Sequence, residues 1–143
     1  VRKISHNMMP GLLTKLGLYE AVEDLFEHVD DTGKLGATCE INGDRTRLAE
    51  NREIMLYRII QEMVNNTMKH AEASNLKLQV NILPGMLDII YVDNGKGFDF
   101  EKKLESGSIG LKSIQSRVDF LNGKLFIETK PGEGVKYTMQ IPA

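Results

Sequence analysis

The sequence predicts an α/β (α+β) fold of two layers, in which three helices cover one face of a mixed, largely antiparallel five-stranded sheet. Five short segments alternate apolar and polar residues with the period of two that a half-buried strand requires. Three longer segments carry apolar residues at helical spacing. The amphipathic helices need a sheet face on which to bury their apolar stripes, so the two sets of elements are expected to pack as layers.

Composition limits the classes of function. With 143 residues the chain can form one domain with its own core. A formal net charge of −2, without a basic run, disfavours general binding to nucleic acid or to a membrane surface. No apolar run reaches the length of a membrane span. The single cysteine, Cys39, cannot form an internal disulfide, so a reducing compartment is expected and Cys39 is interpreted as a core residue of a strand.

Two helical segments are predicted near the N-terminus. Residues 1–9 have the pattern of a helix end that Pro10 and Gly11 stop. A second helix is predicted from Leu16 to about Val29. Its inward stripe consists of Leu18, Val22, Leu25, Phe26 and Val29.

The longest predicted helix runs from about Arg47 to Ala71. Its apolar stripe consists of Leu56, Ile60, Val64 and the stem of Met68. Another face is polar and carries Arg58, Glu62, Asn65, Asn66 and Lys69. A carboxylate, an amide oxygen and a cation at these spacings can reach one small volume, as a magnesium-bound polyphosphate requires, and Glu62 could polarise the group that attacks the terminal phosphate. An ordinary solvated helix face is the alternative.

The C-terminal half alternates strands with one more helix. Pro84-Gly85 joins two cleanly alternating segments into a predicted antiparallel hairpin, so that Asp93 stands at a strand end. Residues 98–109 are charged and rich in glycine and are predicted to be a mobile loop. A third helix from Gly110 buries Leu111, Ile114, Val118 and Leu121. All strands of the chain are predicted at residues 36–42, 75–83, 86–93, 124–129 and 135–141.

Two glycine-containing segments are candidate ligand sites. Asp93 can accept a hydrogen bond from the exocyclic amine of adenine, whereas guanine presents a carbonyl oxygen there. Gly95 and Gly97 after it would let the backbone approach a flat base. Residues 107–111 open the third helix, whose free N–H groups favour a phosphate. The alternatives are a common turn at DNG and an ordinary helix cap by Ser108.

The order of these motifs is more specific than any one of them. The chain resembles the GHKL ATP-binding superfamily, which has the Bergerat-type fold. The resemblance rests on the sequence of motifs E-x-x-x-N-x-x-K-H, D-x-G-x-G, a charged loop, G-x-x-G-L and a last G-x-G. Within this superfamily, the chain is similar over essentially its whole length to the catalytic domain of two-component sensor histidine kinases, in the subclass that pairs with helix-turn-helix response regulators. The resemblance implies a domain that binds ATP and transfers its γ-phosphoryl group to a histidine on a segment outside this chain, without phosphorylating itself.

The resemblance also implies a role for each motif residue. Asn66 would be a catalytic residue and the magnesium ligand, Glu62 would assist phosphoryl transfer or hold its water network, and Asp93 would bind adenine. Residues 98–106 would be the ATP lid. The remaining contacts to the nucleotide would come from Asn66 again and from Lys69, His70, Gly95, Gly97, Gly107, Gly110 and Leu111.

Partners and location follow from the same resemblance. Residues 1–14 would end the region of dimerisation and phosphoacceptor helices of the parent kinase, and residues 15–143 would be the catalytic domain. The other implied partner is the receiver domain of a response regulator, with no nucleic acid and no direct contact of this segment with a membrane. A cytoplasmic location is expected, even where the parent protein is anchored in a membrane.

The chain departs from the family pattern at two points. Val135 stands where family members carry a threonine whose hydroxyl supports the adenine-binding aspartate, so weaker adenine binding or a differently held water is expected. No histidine is followed by an acidic residue, as a phosphoacceptor would be, and His6 is interpreted as a helix-end residue. The alternatives are a GHKL serine kinase of anti-sigma type and a degenerate nucleotide-binding or docking module.

Overall fold

A computed structural model describes residues 11–105 and 109–143, and only the backbone of His70, Ala71, Phe100, Leu104 and Ile109. The strands are β1 Gly36–Asn42, β2 Asn75–Leu83, β3 Met86–Asp93, β4 Lys124–Thr129 and β5 Val135–Pro142. They form one sheet in the order β1-β2-β3-β5-β4. Only the β1–β2 pair is parallel among these neighbours, so the predicted mixed, largely antiparallel sheet is confirmed.

The helices supply the second layer. In chain order they are α1 Gly11–Leu16, α2 Leu18–Asp31, α3 Glu50–Asn66, α4 Phe100–Glu105 and α5 Ile109–Phe120, and α3 continues as a π-helical segment, Thr67–Ala71. The inward stripes predicted for α2 and α5 are buried. On β2, Leu76, Leu78 and Val80 are buried while Lys77 between them is exposed, so one face of the sheet forms the core. The predicted two-layer fold is confirmed.

The inward stripe of α3 differs from the prediction at its end. Leu56, Ile60 and Val64 are buried as predicted, but Met68 is 45% exposed and Thr67 is 3% exposed. A step of four residues overshoots a helical turn of about 3.6 residues, so the stripe drifts and position 67 turns inward instead. Asn65, expected on the polar face, is buried as well.

The start of α3 was predicted three residues too early, and the reason is a tertiary interaction. Arg47 donates hydrogen bonds to both carboxylate oxygens of Glu53, at 3.1–3.3 Å. The Leu48 N–H also donates to Glu53 Oε2 at 3.2 Å. These contacts hold residues 47–49 outside the helix and bury the carboxylate, because Glu53 is only 1% exposed.

Two other predicted boundaries were wrong. Gly17 has a φ of +98°, which separates α1 from α2, so a helix begins at Gly11 and the next begins at Leu18. The segment predicted to be a loop contains α4, whose start is capped by Asp99, since Asp99 Oδ1 accepts the Lys102 N–H at 3.1 Å. The domain boundary predicted between residues 14 and 15 falls inside α1 and stays a prediction. No helix in the described ranges is long and apolar enough to cross a membrane.

Candidate functional site

Asp93 is a buried carboxylate at the end of β3. It is 4% exposed, and each of its oxygens has a fixed hydrogen-bond donor. The Gly95 N–H donates to Oδ1 at 3.0 Å, and the Thr67 hydroxyl donates to Oδ2 at 2.8 Å. A carboxylate removed from water costs free energy unless such donors compensate it. The side chain is therefore held in one orientation, as a group that recognises a ligand must be.

A second hydroxyl group continues this network into the core. Tyr91 Oη lies 2.6 Å from Thr67 Oγ1 and 3.0 Å from the Met63 carbonyl oxygen, so both are within hydrogen-bond distance. Burial raises the pKa of Tyr91 well above its usual range, so this hydroxyl keeps its proton. Sequence analysis missed both residues. A threonine in the buried stripe of α3, and a tyrosine two positions before Asp93 on the same strand face, were the available signals.

Val135 lies directly opposite Asp93 in the ladder between β3 and β5. It is buried, 6% exposed, and its side chain belongs to the same covered face of the sheet. A valine offers no donor, so the hydroxyl on Asp93 comes from the helix above the sheet and not from the neighbouring strand.

The loop after Asp93 is tied to the turn between β4 and β5. The Phe98 N–H donates to Thr129 Oγ1 at 3.2 Å, and the Thr129 hydroxyl donates to the Gly134 carbonyl oxygen at 2.7 Å. Gly97 lies where this loop contacts the turn and has a φ of +62°. A Cβ atom there would overlap the carbonyl oxygen of Lys130. Gly97 is thus needed for both its backbone angle and its close contact.

The polar face of α3 meets the start of α5. A Cβ atom added at Gly110 would lie 3.4 Å from Asn66 Oδ1 and 3.7 Å from Glu62 Oε2. Asn66 also hydrogen-bonds the side chain of Tyr137 on β5, whose pKa rises to about 12, chiefly because the hydroxyl is buried. Glu62 and Asn66 remain half-buried. The predicted carboxylate, amide and glycine are therefore brought together, close enough for even a Cβ atom at residue 110 to contact both side chains.

The other predicted site residues are distributed around this arrangement. Lys69 is exposed, Gly95 is buried beside Asp93, and Leu111 is buried in the core at the start of α5. His70 belongs to the π-helical segment, but its side chain is outside the described part of the chain, and Gly107 lies wholly outside it. Within residues 11–105 and 109–143, no three His, Cys, Asp or Glu side chains are close enough to hold a metal ion.

Comparison with known proteins agrees with this geometry. Residues 51–143 match the family model described as histidine kinase-, DNA gyrase B- and HSP90-like ATPase. The chain is 34% identical over 142 residues to the signal transduction histidine-protein kinase/phosphatase DegS of Brevibacillus brevis, covering 99% of this chain and 36% of that protein. It is 34% identical over 141 residues to the sensor histidine kinase ComP of Bacillus subtilis, covering 98% of this chain and 18% of ComP. The chain thus spans well under half the length of either relative.

A solved structure shares the fold. The histidine kinase domain of the blue-light activated histidine kinase from Erythrobacter litoralis EL346 superimposes with a TM-score of 0.66 at 19% identity, over 99% of this chain and 65% of that one. At this identity the similarity supports the fold, while the family match and the two relatives support the function. The resemblance found in the sequence is confirmed: the chain belongs to the histidine kinase-, DNA gyrase B- and HSP90-like ATPase family, as an ATP-binding catalytic domain of the histidine kinase type.

Proposed function

We propose that this domain binds magnesium-ATP between the polar face of α3 and the segment that contains α4, and that it transfers the γ-phosphoryl group to a histidine on the dimerisation and phosphoacceptor helices of a parent kinase. The receiver domain of a response regulator would then take the group, in the cytoplasm. The main support is that these groups lie close together. Asn66 and Glu62 on α3 face the glycine at the start of α5, and the fixed carboxylate of Asp93 contacts Thr67 at the end of α3.

Asp93 would recognise the base. Its two oxygens already accept bonds from the Gly95 N–H and the Thr67 hydroxyl, so the remaining lone pairs are pre-oriented. An exocyclic amine can donate to them, whereas the carbonyl oxygen of guanine would be repelled. Adenine should therefore be preferred over guanine.

Asn66 and Glu62 would act at the phosphates. The amide oxygen of Asn66, with phosphate oxygens, forms the hard oxygen set that magnesium prefers, and the bound ion would neutralise phosphate charge. The backbone N–H groups at the start of α5 would face the phosphate chain, which a side chain at Gly110 would obstruct. Glu62 would polarise the attacking imidazole. Catalysis of this type depends mainly on positioning and on charge neutralisation.

Calorimetric titration of the chain with ATP and GTP, with and without magnesium, tests the proposal. We expect magnesium-dependent binding that favours ATP. Asp93→Asn should weaken ATP binding about tenfold or more and reduce the preference over GTP, because it removes a charged acceptor. Asn66→Asp should abolish the dependence of ATP binding on magnesium that the unmodified chain shows.

Two matched substitutions control for nonspecific effects. Asp88→Asn changes the same residue type on β3, and Asn51→Asp changes the same type on α3, in both cases away from the site. Both should bind ATP like the unmodified chain. Equal affinity for ATP and GTP, or no binding at millimolar nucleotide, would contradict the proposed function.

A further inference from the structure

We propose that Thr67 is the positioning residue for Asp93 and thereby sets the preference for adenine. Val135 has no hydroxyl and cannot take this role. The inference rests on the proposed function, since it takes Asp93 as the group that binds the base. It concerns a position that the motif E-x-x-x-N-x-x-K-H leaves unspecified, directly after Asn66, and it follows from the contacts of the buried network.

The direction of the hydrogen bonds follows from counting protons. An ionised carboxylate only accepts, so the single proton of the Thr67 hydroxyl must point to Asp93 Oδ2, 2.8 Å away. Tyr91 then has one proton for two acceptors, Thr67 Oγ1 at 2.6 Å and the Met63 carbonyl oxygen at 3.0 Å. Two hydroxyl oxygens 2.6 Å apart need a proton between them, so Tyr91 donates to Thr67 Oγ1 and the Thr67 proton stays on the carboxylate side. The network therefore delivers a donor to Asp93 and never an additional acceptor.

Thr67 has no competing use for this proton within its own helix. A helical threonine commonly donates to the carbonyl oxygen four positions earlier, which here belongs to Met63. That oxygen already accepts the Thr67 backbone N–H and lies 3.0 Å from the Tyr91 hydroxyl oxygen. The side chain is turned toward the sheet instead, where it is 3% exposed and contacts Asp93 and Tyr91.

Position 135 is the other place from which a hydroxyl could reach Asp93. Val135 is the direct partner of Asp93 in the β3–β5 ladder, and both residues are buried on the same face. Its methyl groups leave the carboxylate without a donor from that side. Because Thr67 supplies one from above, the weaker adenine binding expected from Val135 alone does not follow.

A double-mutant cycle in the full chain tests the inference, with binding of ATP and of GTP measured by calorimetry. Thr67→Val keeps the shape and removes the hydroxyl, and it should weaken ATP binding about tenfold while changing GTP binding much less. Thr67→Ser keeps the hydroxyl and should stay within about twofold of the unmodified chain. Val135→Thr alone should also change ATP affinity by no more than about twofold, because Asp93 already has its donor.

The decisive variant combines Thr67→Val with Val135→Thr. It should recover most of the lost ATP affinity and of the preference over GTP, since the hydroxyl is moved to the other side of the same carboxylate. A purely structural role of Thr67 would lower the melting temperature without changing the ATP/GTP ratio and without this rescue.

Each other outcome overturns the inference in a distinguishable way. Unchanged ATP affinity and preference in Thr67→Val would reject it while leaving the proposed function intact. An increase of about tenfold in Val135→Thr alone would mean that Asp93 lacks a donor in the unmodified chain, and would also reject it. No nucleotide binding by the unmodified chain would reject the proposed function and the inference together.

Discussion

At the scale of single residues, the site depends on how a charge is kept inside the protein. Asp93 is almost fully buried, and such a carboxylate is tolerated only when donors replace the water it has lost. The Gly95 N–H and the Thr67 hydroxyl supply these donors and at the same time fix the carboxylate in space. The same two contacts therefore stabilise the fold and fix the carboxylate that we propose to bind the base.

Gly97 offers a test of how tightly the loop after Asp93 is packed. Gly97→Ala should lower the free energy of unfolding by about 3 kcal/mol, because the new Cβ atom meets backbone oxygens and also strains a φ of +62°. Urea denaturation measures this difference.

Gly132→Ala is the matched control for Gly97→Ala. Gly132 also has a positive φ, +83°, but a Cβ atom there meets nothing within 4 Å. It should cost only about 1 kcal/mol, the strain of the backbone angle. Equal losses in the two variants would show that close contact with the β4–β5 turn is not what requires a glycine at position 97.

At the scale of elements, sequence patterns predicted the strands better than the helix ends. Alternation along β2 and β3 is set locally by burial of one face, and both predicted ranges are confirmed. The start of α3 depends instead on the contact between Arg47 and Glu53, and α4 depends on a cap by Asp99 with little apolar content. Such interactions leave no periodic signal in a sequence.

Glu53 should be essential for the start of α3. Glu53→Gln should lower the free energy of unfolding by about 2 kcal/mol, because the neutral amide loses the charge-assisted bonds from Arg47 and presents a donor toward the Leu48 N–H. Glu50→Gln changes the same type of residue at an exposed position of the same helix turn and should cost about 0.5 kcal/mol or less. Urea denaturation of both variants would contradict this explanation if the losses were the same.

At the scale of the whole molecule, the site joins both halves of the chain. The end of α3 supplies Glu62 and Asn66, while the later elements supply Asp93, Gly110 and, through a hydrogen bond to Asn66, Tyr137. The order of the motifs predicted that Glu62, Asn66, Asp93 and Gly110 belong to one site, because members of a family share one three-dimensional arrangement, but it did not predict Tyr137. It could not predict Thr67, because the contact of its hydroxyl with Asp93 is seen only once β3 is placed under the end of α3.

The arrangement of the histidines predicts that this chain binds ATP without phosphorylating itself. His28 is on α2, which packs against the edge strand β1, and its Nδ1 atom lies 2.8 Å from the Asp24 carbonyl oxygen, to which it must donate. Its ring is thus oriented by a hydrogen bond within its own helix. His6 lies outside the described residues, and neither it nor His70 precedes an acidic residue.

Incubation with γ-labelled ATP and magnesium should therefore leave no acid-labile phosphate on the chain above the level found without magnesium. Asn66→Asp provides the background of a chain with an impaired nucleotide site, and His28→Gln removes the one histidine whose side chain is described. Stoichiometric label that disappears in Asn66→Asp would place the acceptor within this chain. If it also disappeared in His28→Gln, His28 would be that acceptor, and transfer to a histidine on other helices would no longer be needed to explain the activity.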